Sequence, residues 1–448
     1  MKKSLISLFA ILVVIWIGMN ERCGWLSSFN KTEWEELGKP IFLNSTGNEI
    51  KLVANNNSLY LAFDEKPYIT TLVVMKWEGM QWVRIGEWKK LNEIANLSCY
   101  KGRIYIALAT YSTPVINTLT ENAKELGRKR NNQLTKTRKI FYFKHFASFL
   151  NYEQIYHDHF YGKSKASYQH LKTEKIKVMM FKGNNRWVQV GKTIVLKDSR
   201  NFGDLNYFEI FHGVFYLGLS HSIPTSTLFG AEALLEYTGS SWKYIGNPES
   251  ISPTMGSNVS VAFLKTIPYV AYDEWANTGI RNFNGTTWIK GQLPSRVSDL
   301  WAYPSLLVSN NCLYMVAYCA SGKSKMAFLG LKKNKWMNLG QLPGDVLYTN
   351  SSFSPFSFVS YKDILYVGYP DKQGNGRVSV MCWDGSSWSL VGKPRFSLTC
   401  GHPISMVVLK NILYVAFLDR YEFHGEDSGG KKIMVMKYPL PQSQKQTQ

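Results

Sequence analysis

Seven times along this chain of 448 residues a tryptophan is followed, after a short segment, by a glycine. The copies run Trp34 to Gly38, Trp82 to Gly86, Trp187 to Gly191, Trp242 to Gly246, Trp288 to Gly291, Trp336 to Gly340 and Trp388 to Gly392. Successive tryptophans lie 48, 105, 55, 46, 48 and 52 residues apart, so one interval is about double the rest. Self-similarity at a fixed period constrains a fold more than composition does, because each unit must bury its apolar face against the next.

Two more elements recur in the same phase. One reads LYLAF at 59–63, IYIAL at 104–108, FYLGL at 215–219, PYVAY at 268–272, LYMVAY at 313–318, LYVGY at 365–369 and LYVAF at 413–417. Each is a short run of β-branched and aromatic residues bounded by turn formers, which is the signal of a buried strand. The other ends in a turn: VVMKWEG at 73–79, KVMMFKG at 177–183, ALLEYTG at 233–239 and SVMCWDG at 379–385. With the apolar stretch before each LY run, the unit is four strands. Seven such units predict an all-β, seven-bladed β-propeller, whose radial blades protect their sheet edges. The repeated tryptophan is expected to pack between neighbouring blades. The last unit lacks a Trp strand, and the first Trp strand lacks a unit. The N-terminal strand is therefore expected to complete the last blade, making 33–438 one domain and leaving 439–448 as a disordered tail.

The turn glycines, aromatics and tryptophans resemble those of exported bacterial β-propeller repeat proteins, loosely of the kelch-like and Asp-box kinds. Where an Asp-box turn places Asp two residues before Gly, this chain has Phe283 and Trp383. Its polar residues, Asn284 and Asp384, come directly before Gly285 and Gly385. The paired glycine of kelch repeats is missing. The resemblance implies the fold class and carries over no functional residue.

Lys2 and Lys3 precede an apolar run from Leu5 to Ile17, which reads as an export signal or short signal-anchor over 1–22. The chain is thus expected to be extracytoplasmic, secreted or held at a membrane by that segment. Its net charge of +20 points to anionic partners. Export argues against nucleic acid among them, leaving a glycan, an anionic polymer or a protein, with the chain as a monomer. The six cysteines show neither CxxC spacing nor a repeat position, so no disulfide framework, metal site or cofactor is expected.

The doubled interval is filled by an insertion at 112–172, between the second and third strands of the second blade. It holds Arg128, Lys129, Arg130, Lys136, Arg138 and Lys139, then the aromatics Phe141, Tyr142, Phe143, Phe146, Phe149, Tyr152 and Tyr156. One reading makes the six basic residues a ligand-binding dock for an anionic surface. The other makes the segment an excursion packed on the propeller with its charges solvated. His157 and His159 would share a strand face, but no third metal ligand is positioned with them.

No nucleophile elbow, phosphate loop or zinc-protease helix occurs. Acids end several second strands, at Asp64, Asp273, Asp371 and Asp419. They read as turn initiators, with a rim carboxylate pair as the alternative. The expected function is a non-catalytic propeller that binds an extracellular ligand. The alternatives are a glycan-active hydrolase or lyase using rim carboxylates, and a structural surface protein.

Overall fold

The computed structural model describes residues 33–43, 49–65, 70–91, 93–111, 174–196, 204–221, 231–247, 251, 259–274, 277–294, 303–319, 325–347, 356–399, 401–419 and 431–441. The segment 1–22 that reads as an export signal, the whole insertion at 112–172 with its six basic residues, and most of 439–448 lie outside them.

Seven antiparallel sheets stand in a ring, each a meander of inner, second, third and outer strands. The inner strands, in chain order, are Ile50–Asn55, Glu93–Tyr100, Asp204–Phe211, Val259–Leu264, Ser305–Ser309, Ser357–Tyr361 and Gly401–Leu409. Each packs beside the inner strand of the next blade, and the seventh packs beside the first, so together they encircle an axial lumen. The ring closes through the N-terminus as expected. Glu35–Glu36 and Ile41–Leu43 both pair with the last strand, Lys431–Pro439, setting Glu35 opposite Lys437 and Ile41 opposite Ile433. This β-propeller has seven blades, and its last blade joins the two ends of the chain.

In three of the repeats a tryptophan fits against the segment before the preceding blade's glycine, across the seam between blades. Trp187 Nε1–H donates to the Ile85 carbonyl of the preceding blade (2.9 Å), Trp288 to Ile245 (2.8 Å), and Trp34 to Val391 (3.2 Å). Each acceptor directly precedes a repeat glycine. A Cβ on Gly86 would meet Trp187 Nε1 at 2.8 Å, and one on Gly392 would meet Tyr438 at 2.6 Å. At Gly86, Gly246 and Gly392 the glycine is therefore the socket for the next blade's aromatic side chains, because any side chain there would hold the two sheets apart; a Cβ on Gly340 would meet nothing within 4 Å. Trp34 also stacks on Phe396, with ring centroids 4.2 Å apart.

The third-to-outer turns of two blades are built by the polar residue before the glycine. Asn284 Oδ1 accepts the N–H groups of Thr286 and Thr287, and Asp384 Oδ1 those of Ser386 and Ser387. In the fifth blade, Lys333 and Asn334 both adopt positive φ, at 48° and 60°, replacing the glycine. Among the described cysteines, Cys382 is buried, Cys99 half-buried and Cys312 exposed.

Each meander runs inward strand first, so one face of the ring carries all loops from outer to inner strands and from second to third strands. Inner strands begin on this face and end on the other. The strand ends that the insertion joins, Tyr111 and Glu174, lie on this loop-bearing face.

Candidate functional site in the axial lumen

Strand register shows which inner-strand residues are equivalent. Opposite the fourth residue of each LY run stand Ser260, Ser305, Ser357 and Ser405 in the last four blades. Three of these serines stitch blades together. Ser260 Oγ accepts Leu306 N–H (2.9 Å), Ser357 Oγ accepts Met406 N–H (3.0 Å) and Ser405 Oγ accepts Leu52 N–H (2.9 Å). In blade 1 the same position holds Lys51, and in blade 3 it holds Tyr207.

Two residues further along the inner strands, the equivalent positions face the tyrosine of each LY run. Val53, Ser98, Ala262, Leu307, Val359 and Val407 occupy it in six blades, and Glu209 occupies it in blade 3. The inner strands of blades 2 and 3 each carry a register shift just before this level, between Ile94 and Leu97 and between Leu205 and Tyr207; blade 7 has one near its start. A bulge re-aims the side chains that follow it.

These substitutions bring charge into the lumen. Tyr207 donates a short hydrogen bond from its hydroxyl to the Glu209 carboxylate. Burial is the largest influence on Glu209 and pushes its carboxyl above the ordinary range, while the Tyr207 hydrogen bond and the Lys51 charge pull it back. Burial likewise pushes the Lys51 ammonium down, opposed by the charges of Glu209 and then Glu49. Tyr207 is raised well above its ordinary value, by burial first and then by Glu209. By surface area Lys51 and Glu209 are exposed, yet both are walled in closely enough for lost hydration to dominate. Both facts hold at once for groups that project into the axial lumen with other side chains close around them. Cys99 belongs to the same wall. Its thiol donates to the Ala54 carbonyl (3.1 Å), and burial and Glu209 raise it.

Two of the rim acids do different work from either expectation, while Asp371 initiates its turn as expected. Asp64 accepts Glu49 N–H (2.8 Å) and Asp419 accepts Thr399 N–H (3.0 Å), each tying down the segment that leads into its own inner strand. Asp419 is also ion-paired with Lys432. Asp371 alone acts near its turn, capping the 3-10 turn Lys372–Gly374 through Gln373 N–H. All three are buried and engaged, so they are fasteners and not an open carboxylate pair. The side chain of Asp273 lies outside the described residues. Among the described residues no group of three His, Cys, Asp or Glu is placed to hold a metal ion.

The lumen groups were readable in the repeats. The fourth residue of the LY run lies eleven positions after Ser260, Ser305, Ser357 and Ser405, and also after Lys51 and Tyr207. Aligning the blades on that spacing exposes the odd residues.

No protein-family description and no curated protein matches the sequence. Solved structures do, at low similarity. The polysaccharide lyase Uly1 is 9% identical over 88% of this chain and 90% of its own, with a TM-score of 0.47. The endosialidase of phage phi92 is 10% identical over 91% of this chain and 70% of its own (TM-score 0.45). A Penicillium chrysogenum α-L-arabinanase complexed with arabinobiose is 10% identical over 91% and 97% (TM-score 0.42). The names of these neighbours are those of glycan-cleaving enzymes, in line with the glycan-active alternative and against the expectation of a non-catalytic binding module. At such identity the likeness is one of fold, and no residue's role passes from them to this chain. Among the described residues no helix is long and apolar enough to cross a membrane.

Proposed function

We propose that this protein is a glycan-active enzyme, a hydrolase or lyase, that cleaves a glycosidic bond at the lumen site of Lys51, Tyr207 and Glu209. The observation that carries the reading is the placement of these three at positions where other blades hold stitching serines or small and aliphatic residues. Structural needs are met by serine and valine there, so a buried acid, phenol and ammonium answer to something else.

Each group has a role that both kinds of cleavage use. Glu209, with its carboxyl held above the ordinary range, is the proton-transfer group, since such an acid changes protonation nearer neutrality. Tyr207 orients that carboxyl through its hydrogen bond, its own hydroxyl being held well above the ordinary range so that it stays a donor. Lys51 places a positive charge where negative charge gathers, at the departing oxygen in a hydrolase or at the carboxyl-bearing end of a uronate in a lyase. The glycan-cleaving names of the structural neighbours are in keeping with this chemistry. The basic insertion residues Arg128, Lys129, Arg130, Lys136, Arg138 and Lys139 join strands on the loop-bearing face, which suits guidance of an anionic glycan toward the mouth. The N-terminal segment suits export to where such polymers lie.

The test is incubation of the full chain with a panel of neutral, uronate and sulfated polysaccharides across a pH range. New reducing ends report cleavage, and ultraviolet absorbance of an unsaturated sugar separates lyase from hydrolase. Glu209→Gln is expected to lower the rate about 10²–10⁴-fold. Absence of cleavage across the whole panel, or full activity of Glu209→Gln, overturns the reading.

A further inference from the structure

The loop from blade 6 to blade 7 holds an arginine in a backbone conformation that has to be enforced. Among the described residues, non-glycine positive φ falls in hairpin turns, at the cap Asn375, and at two loop residues, Tyr303 and Arg395. Tyr303 is buried in an apolar cluster, which accounts for it by packing. Arg395, with φ 58°, is held by polar contacts and by its stem lying on Gly374, and backbone strain of this kind gathers at sites that bind ligands.

Three hydrogen bonds fix it from the backbone outward. Its N–H donates to Ser379 Oγ (3.0 Å), its Nε to Asp371 Oδ2 (3.0 Å) and its Nη2 to Gln373 Oε1 (2.9 Å). Asp371 is itself buried and capped into the 3-10 turn that carries Gln373. The aliphatic stem lies on Gly374, where a Cβ would meet Arg395 Cδ at 2.7 Å. An ion pair serving stability alone would need only the Nε bond. Here a second acceptor and a strained backbone aim the whole fork, and the side chain stays 38% exposed. Nη1 is the one guanidinium nitrogen to which the described residues give no acceptor.

Its place in the ring gives that edge a target. The loop lies on the face where inner strands begin, the face toward which Lys51 stands. From beside the third strand of blade 6 the side chain reaches inward to the end of the second strand. That is one strand step, about 4.8 Å, from the lumen wall.

We propose that Arg395 is an anion clamp that selects acidic glycans, its Nη1 edge pairing with a carboxylate or sulfate of a sugar lying across the mouth of the lumen. Arginine suits this because its planar donors match such oxyanions and its charge persists at every working pH. The clamp rests on the glycan reading for the nature of its ligand, and not on the lumen groups.

The test is calorimetric titration of the full chain carrying Glu209→Gln with three oligosaccharides of equal length: a uronate, its carboxyl-reduced counterpart and a sulfated one. The uronate or the sulfated sugar is expected to bind at least about tenfold more tightly than the neutral one, as one charge-assisted contact predicts. The tighter of the two identifies the oxyanion. Arg395→Gln should erase the difference, and Arg395→Lys should restore part of it. Gln373→Ala leaves the Asp371 pair in place, guarding against misfolding, and should erase part of it. Equal binding of charged and neutral sugars by the parent overturns the clamp, as does a preference that survives both Arg395→Gln and Gln373→Ala. Cleavage by the wild-type chain without charge preference refutes the clamp and keeps the lumen reading. An Arg395-dependent preference without any cleavage does the reverse.

Discussion

Blades 4–7 and blades 1–3 present different walls to one lumen. In the first group the repeated inner position is serine every time, and three of the four serines hold the neighbouring blade by its backbone. In the second group the same level carries Lys51 and Tyr207, with Glu209 one step along. The serine sector shows what the fold asks of that position: a small side chain with one acceptor for an otherwise unsatisfied N–H. The other sector gives up those stitches and takes on groups whose burial costs free energy. A ring so regular elsewhere tolerates that cost only in one arc.

Three changes would break or sharpen this contrast. The largest effect is expected when blade 3 is given the residue of blades 1, 6 and 7. Glu209→Val should lower glycan cleavage by about 10²–10⁴-fold while the melting temperature holds or rises, as a buried acid is removed. Retained activity would show that the charged arc is ornamental to catalysis.

The serine sector should respond in the opposite sense. Ser405→Ala leaves Leu52 N–H without its acceptor, and denaturant unfolding should report a loss of about 1–3 kcal/mol with cleavage unchanged. If Ser405→Ala cuts activity as deeply as Glu209→Val, the two walls are not distinct.

The smallest effect is a displacement along the pH axis. Lys51 lowers the Glu209 carboxyl from its burial-raised value, so Lys51→Met lets it rise further. The limb of the kcat/KM profile governed by Glu209 should therefore move to higher pH. A shift to lower pH, or none, would separate Lys51 from the proton-transfer group. The charge of Lys51 is itself stabilised by Glu209, so Glu209→Gln should in turn lower the Lys51 ammonium further, visible in its amine titration.

Much of this architecture was legible before any coordinates. Trp34 without a unit and LYVAF at 413–417 without a Trp strand foretold a shared last blade, and Glu35 pairs with Lys437 accordingly. Asp371 initiates its turn as the sequence suggested, but Asp64 and Asp419 were misread, because Asp at a strand end has local uses that spacing does not separate from longer ones. Asp64 and Asp419 reach back 15 and 20 residues to the start of their own blades, and such a partner is invisible to a turn rule.

The sequence by itself determined the blade count, the closure and the packing of repeat tryptophans between blades, because each rests on strand alternation and turn chemistry that repeat within one unit. The meeting of Lys51 with Glu209, and the aiming of Arg395 by Asp371 and Gln373, were decided only by the tertiary structure. Charges from blades 1 and 3 act on each other because the ring turns them toward one axis. An arginine's direction depends on which loop lies beneath it. Neither relation has a period, so neither leaves a mark along the chain.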